Sequence, residues 1–164
     1  LMNSMAGRAP ANRIRVVALS PSTAAKIVCQ VRNWQISNLE LQKILYVAHM
    51  VHLGRYGRPL VNETFEAWTY GPVLPSLYRR VAMFGAEPIK NVFYAARVPE
   101  GGTERETLEA VARHLASMTP GQLVELTHWP KGAWAKVYQP GVRHIPIPDN
   151  LIADEFRARE RSAA

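Results

Sequence analysis

The apolar positions of this chain fall into helical stripes over most of its length and switch to alternation only near its middle. Ala24, Ile27, Val28 and Val31 recur at i, i+3, i+4 and i+7, which is one buried face of an amphipathic helix. Ser20 before Pro21 suits its start and Asn33 its stop. Ser37 with Glu40 spells a capping box, and Ile36 with Leu41 a hydrophobic staple. Behind them Leu41, Ile44, Leu45 and Ala48 line one face while Tyr46, Val47, Met50 and Val51 carry apolar surface around the side. A helix apolar over so much of its circumference belongs at the centre of a fold. Glycines between Gly54 and Gly57 end it.

From Pro59 to Tyr70 the period changes. Leu60 and Val61, a polar turn at Asn62 and Glu63, then Phe65, Ala67 and Thr69 alternating against Glu66, Trp68 and Tyr70 predict a short hairpin, broken by Gly71 and Pro72. Pro75 opens a helix with Leu77, Tyr78, Val81 and Phe84 inward, stopped by Gly85. Residues 89–98 are rich in strand formers and predict a third strand. Thr103 with Glu106 spells another capping box before the stripe Leu108, Val111, Ala112, Leu115 and Met118. Thr119, Pro120 and Gln122 cap a helix carrying Leu123, Val124 and Leu126, followed by a short helical piece over 133–138. Ile145-Pro146-Ile147-Pro148 is extended by proline geometry, an edge strand at best, and Leu151, Ile152 and Phe156 dock a frayed terminal helix. The fold class expected is α+β, mainly α-helical: a helical bundle around a central apolar helix with a small antiparallel β-sheet. Residues 1–14 are set apart as a disordered or extraneous segment, and 15–164 are expected to form one domain.

Composition adds limits rather than a function. No stretch reaches the ~18 consecutive apolar residues of a membrane helix and the start lacks a signal-like arrangement, so the expected place is the cytoplasm. The lone Cys29 has no disulfide partner or second thiolate and is read as packing. Of the net charge of +7, five units sit in residues 1–36 as Arg8, Arg13, Arg15, Lys26 and Arg32, with no acid among them. A basic arm can touch nucleic acid or an acidic partner.

Chemistry-bearing groupings are sparse. His49 and His52 stand one turn apart, but two ligands do not hold zinc and no Cys or acidic pair completes a set; no metal and no cofactor is expected, and both are read as partly buried. His128 lacks a nucleophile or an orienting carboxylate. No phosphate loop, dinucleotide fingerprint or nucleophile elbow occurs, so the expectation is not an enzyme. The helix pair over 103–127 has helix-turn-helix spacing, yet its second helix bears Glu125 and no Arg or Lys, against the needs of a recognition helix. Unusual instead is the aromatic and proline density around Gly71-Pro72-Val73-Leu74-Pro75, with Trp68, Tyr70, Tyr78 and Phe84 clustered about it and Arg79 and Arg80 beside it. It reads either as a core corner where hairpin meets helix or as an exposed binding rim, since Trp, Tyr and Arg anchor protein interfaces.

In order along the chain, Leu41-Gln42-Lys43-Ile44-Leu45-Tyr46-Val47-Ala48, Leu53, Tyr56-Gly57-Arg58-Pro59-Leu60, Glu66-Ala67-Trp68, Tyr70-Gly71-Pro72-Val73, Pro75 and Leu77-Tyr78 resemble the Panacea domain of SocA-like antitoxins and phage-associated proteins. Leu123-Val124-Glu125-Leu126-Thr127-His128 followed by Trp134 resembles that family's second block, so the resemblance runs to about residue 138. It implies a cytosolic antitoxin that neutralises a cognate toxin protein by direct binding, and, in SocA-like members, an adaptor that presents the toxin to ClpX of the ClpXP protease. The motif residues carried over, Trp68, Tyr70, Gly71, Pro72, Tyr78, His128 and Trp134, mark the fold as readily as a partner surface. With Arg79 and Arg80, the partner-binding candidates are therefore Trp68, Tyr70, Tyr78, His128 and Trp134. The alternative is a DNA-binding transcriptional regulator using the basic N-terminal segment, which the recognition-helix composition disfavours.

Overall fold

The computed structural model describes residues 17–164; the basic positions Arg8, Arg13 and Arg15 and the segment 1–14 lie outside them. Helix α1, Pro21–Val31, begins with Ser20 Oγ accepting from Thr23 N and ends before Asn33 and Trp34, both in the left-handed region. Helix α2, Asn38–Tyr56, has both halves of the Ser37/Glu40 capping box and closes at Gly57. Then come β1 (Glu66–Trp68), β2 (Gly71–Val73), α3 (Pro75–Val81) with a 3₁₀ turn, α4 (Thr103–His114), α5 (Pro120–Thr127), α6 (Ala133–Val137) and α7 (Asp149–Ala163). The mainly helical α+β expectation holds.

Helix α2 is the axis. It packs against α7, α4, α5, α1, α3 and β2, and Leu41, Ile44, Leu45, Tyr46 and Ala48 are fully buried along it, as an all-round apolar helix requires. Gly54 lets α7 approach: a Cβ there would sit 2.0 Å from the Phe156 ring.

Four local expectations are corrected. Leu60 and Val61 do not pair with residues 65–70; Val61 bridges Leu19 in parallel, with Leu19 N donating to Leu60 O and Asn62 N to Leu19 O. The hairpin instead joins β1 to β2, pairing Glu66 with Val73, Ala67 with Pro72 and Trp68 with Gly71. Thr69 and Tyr70 are thus its turn, and Gly71-Pro72 build a strand rather than break one. Proline is admitted because, among the described residues, no third strand pairs beyond β2. Residues 89–98 form no strand. Their carbonyls are taken by side-chain cations, Lys26 at Ala96 O and Arg80 at Val92 O, while Ile89 and Phe93 bury. The outer flank of β1 is not open to them, since Ile145 O and Ile147 N already bond it at Ala67 N and Phe65 O. That last contact is the edge pairing foreseen for residues 145–148.

Thr103 does not cap α4, which starts after Gly102 with no side-chain cap. Its hydroxyl instead meets His52 Nε2 at 2.9 Å and accepts from Arg58 at 2.8 Å. The Thr119/Gln122 box on α5 does form. Finally, α7 is no frayed appendage: Ile152 and Glu155 are fully buried against α2.

Candidate functional site

The hairpin is held from two sides. From α2, the neighbouring residues Gln42 and Lys43 reach β2: Gln42 Oε1 accepts from Leu74 N at 2.9 Å, and Lys43 Nζ donates to Pro72 O at 2.9 Å. Behind the turn runs an aromatic stack. His128 lies 3.7 Å from Trp134 at 4° between planes, and Trp134 is 4.6 Å from Tyr138. Trp134 Nε1 donates to Trp68 O at 2.7 Å, so the stack grips the backbone of β1. Gly71 has φ 114°, and a Cβ on it would meet Thr127 Oγ1 at 2.9 Å and Lys43 Cε at 3.0 Å; glycine is required there by backbone angle and by space.

In front of the hairpin opens a groove of about 830 Å³, within the roughly 300–1,000 Å³ span of ligand-sized pockets. Trp68, Tyr70 and Tyr78 line it, the buried Lys43 and Gln42 form its floor, and Tyr138, Arg143 and His144 complete the lining. Tyr70 is 68% exposed at the turn and Tyr78 38%, so Tyr78 has left the inward stripe assigned to it. The Trp68 and Tyr78 rings lie 4.8 Å apart, and Trp68 Nε1 donates to Glu66 Oε1.

Of the candidates read from sequence, Trp68, Tyr70 and Tyr78 meet at one groove. His128 and Trp134 are part of the support behind it; His128 Nε2 is buried with no hydrogen-bond partner among the described residues, and burial lowers its pKa. Arg79 is exposed on α3 and does not line the groove. Arg80 fastens the 89–98 segment, donating to Val92 O and lying 5.8 Å over the Phe93 ring. Sequence reasoning passed over Lys43, whose signal was a cation inside a helix apolar on every side. It is 1% exposed, and burial pushes its pKa down to about 7.

His49 and His52 are fully buried, not partly. His49 bonds Asp149 at 2.9 Å through Nε2 and accepts from Leu60 N and Val61 N through Nδ1. His52 Nδ1 donates to Arg58 O, and burial lowers its pKa. Both rings are engaged as braces between α2 and its neighbours.

The family described as "Antitoxin SocA-like, Panacea domain" matches residues 41–135, more than half of the chain. The chain belongs to this family. The matched stretch runs from the start of α2 into α6 and contains Lys43, the hairpin and two members of the aromatic stack, so the groove's floor and its support lie inside the Panacea domain. The chain is also similar to Antitoxin SocA of Caulobacter vibrioides (strain NA1000 / CB15N), at 36% identity over 143 residues that cover 79% of this chain and 76% of the relative. No solved structure matches significantly. Arg143, His144 and α7 lie beyond the Panacea match and complete the groove and the core from outside it. Among the described residues no helix is long and apolar enough to cross a membrane.

Proposed function

We propose that this chain neutralises a cognate toxin protein in the cytoplasm by binding it directly, with residues 15–164 acting as one unit and no bond-making step of its own. The observation that carries this reading is the rim where Tyr70 and Tyr78 expose large aromatic surface, with the half-buried Trp68 ring packed on Tyr78, beside a turn braced from behind. Exposed aromatic side chains on a rigid support are the usual anchors of a protein interface. Membership of an antitoxin family supplies the kind of partner. Here Trp68, Tyr70 and Tyr78 make the contact, His128 and Trp134 hold them in place, and Arg79 flanks the site.

The test is co-expression with the small protein encoded beside its gene. Rescue of growth and recovery of a stoichiometric complex are expected, and a toxic neighbour that is neither rescued nor bound would sink the reading. The resemblance to SocA-like members extends the proposal to an adaptor role at ClpXP. Purified ClpXP should then degrade the toxin only when this chain is added, and degradation at the same rate without it would remove that role.

A further inference from the structure

We propose that the groove receives an acidic segment of the cognate toxin, one carboxylate of which reaches the Lys43 ammonium on the groove floor. The inference rests on the toxin-binding reading above and names the chemistry of the partner. Lys43 has three donors, and Pro72 O takes one. No carboxylate of the described residues pairs with it. A buried ammonium without a counter-charge is costly, and the lowered pKa is the same cost seen from the proton's side.

The other permanently charged side chain lining the groove has the same sign. Arg143 lines it, and among the described residues no acid does. The neighbouring carboxylate, Glu66, already accepts from Trp68 Nε1 and stands 3.4 Å from His144. His128, the residue after α5, adds a repulsive charge toward Lys43 when protonated. Between Lys43 and Arg143 the walls are apolar, from Leu39, Ala67, Val73 and the Trp68 ring. A short peptide segment that alternates an apolar side chain with a carboxylate complements such a surface. Nucleic acid does not: phosphates are met by cations that project outward, whereas Lys43 is 1% exposed at the bottom of an apolar slot.

The experiment measures the affinity of the adjacent-gene toxin for the intact chain and for Arg143→Glu, Lys43→Met and Arg113→Glu. Arg143 is exposed at the groove, while Arg113 is exposed on α4 and does not line it, so the first and last variants change net charge equally. Thermal melts check that each folds. Arg143→Glu and a folded Lys43→Met should each weaken binding about tenfold or more, and the difference from wild type should shrink at about 0.5 M NaCl. Arg113→Glu should stay within about twofold of wild type.

Binding by Arg143→Glu within about twofold of wild type would overturn the acidic-segment proposal while the toxin complex itself stands, even if Lys43→Met does not fold. Equal weakening by Arg113→Glu would reduce the effect to net charge and overturn it as well. No complex in any form overturns both readings. Binding of a roughly 20-base-pair duplex that Arg143→Glu abolishes assigns the groove to nucleic acid instead.

Discussion

The Tyr46 hydroxyl donates to Glu155 Oε1 at 2.6 Å, joining the central helix to the last helix across 109 residues of sequence. Glu155 is fully buried and also accepts from Ala133 N and from Arg159 Nε, so one carboxylate ties α2, α6 and α7 together. Removing one partner of a buried charged network costs roughly 3–5 kcal/mol. Glu155→Ala is expected to lose that much in urea unfolding. Tyr46→Phe, which deletes one neutral donor, should lose about 1–2 kcal/mol. Equal, small losses in both variants would show that Glu155 is not the hub.

Stability should climb with pH across most of the working range. Burial lowers the pKa of His52 and His128 below the ordinary 6.5 and of Lys43 from 10.5 to about 7. Each group therefore binds a proton more readily unfolded than folded, and stability rises wherever that difference exists. For the histidines this window lies below about 6.5 and for Lys43 it opens at about 7. The buried Cys29 thiol, pushed up from 9.0 to about 12, works the other way once the unfolded thiol ionises. Between about pH 7 and 9 the slope should thus approach one proton's worth, roughly 1.4 kcal/mol per pH unit, and Lys43→Met should flatten it. A parallel slope in Lys43→Met would assign the linkage elsewhere.

Gly71→Ala is expected to cost more than an ordinary glycine replacement. The added methyl must occupy a left-handed position and displace Thr127 or the Lys43 stem, so a loss of about 2–3 kcal/mol is expected, beyond the ~1 kcal/mol scale of compatible sites. Gly54→Ala, with its Cβ inside the Phe156 ring, should loosen α7 specifically. Hydrogen exchange of the α7 amides would register it; uniform loss of protection over the whole chain would contradict a local effect.

Tyr70→Ala and Trp134→Phe should separate contact from support. Tyr70 is 68% exposed, so its truncation should leave the melting temperature within about 1–2 °C and weaken toxin binding. Trp134→Phe keeps much of the stack but loses the bond to Trp68 O, and should lower both stability and binding. Unchanged toxin affinity in Tyr70→Ala would take the turn out of the interface.

What the sequence made legible was whatever local chemistry alone determines. The Ser37/Glu40 and Thr119/Gln122 boxes, the glycine stop at Gly57 and the all-round burial of α2 follow from spacing within a few residues. Strand pairing was less legible, because alternation over residues 65–70 cannot say whether the partner precedes or follows it. Pro72 looked like a breaker only while the cation that takes its carbonyl, 29 residues earlier, was out of view. Thr103 likewise had every mark of a cap until His52 and Arg58 claimed its hydroxyl. The aromatic wall of the groove was readable from Trp68, Tyr70 and Tyr78. The rest of its lining was not, since Lys43, Tyr138 and His144 come together only through the tertiary fold.

The two-residue turn at Thr69-Tyr70 is clasped by a lysine from one helix and a tryptophan from another. Little conformational freedom remains there to be lost when a partner arrives, so the ordering penalty of association is largely settled at folding. Loosening either clasp should slow complex formation or shorten its lifetime even where every contacting atom is kept.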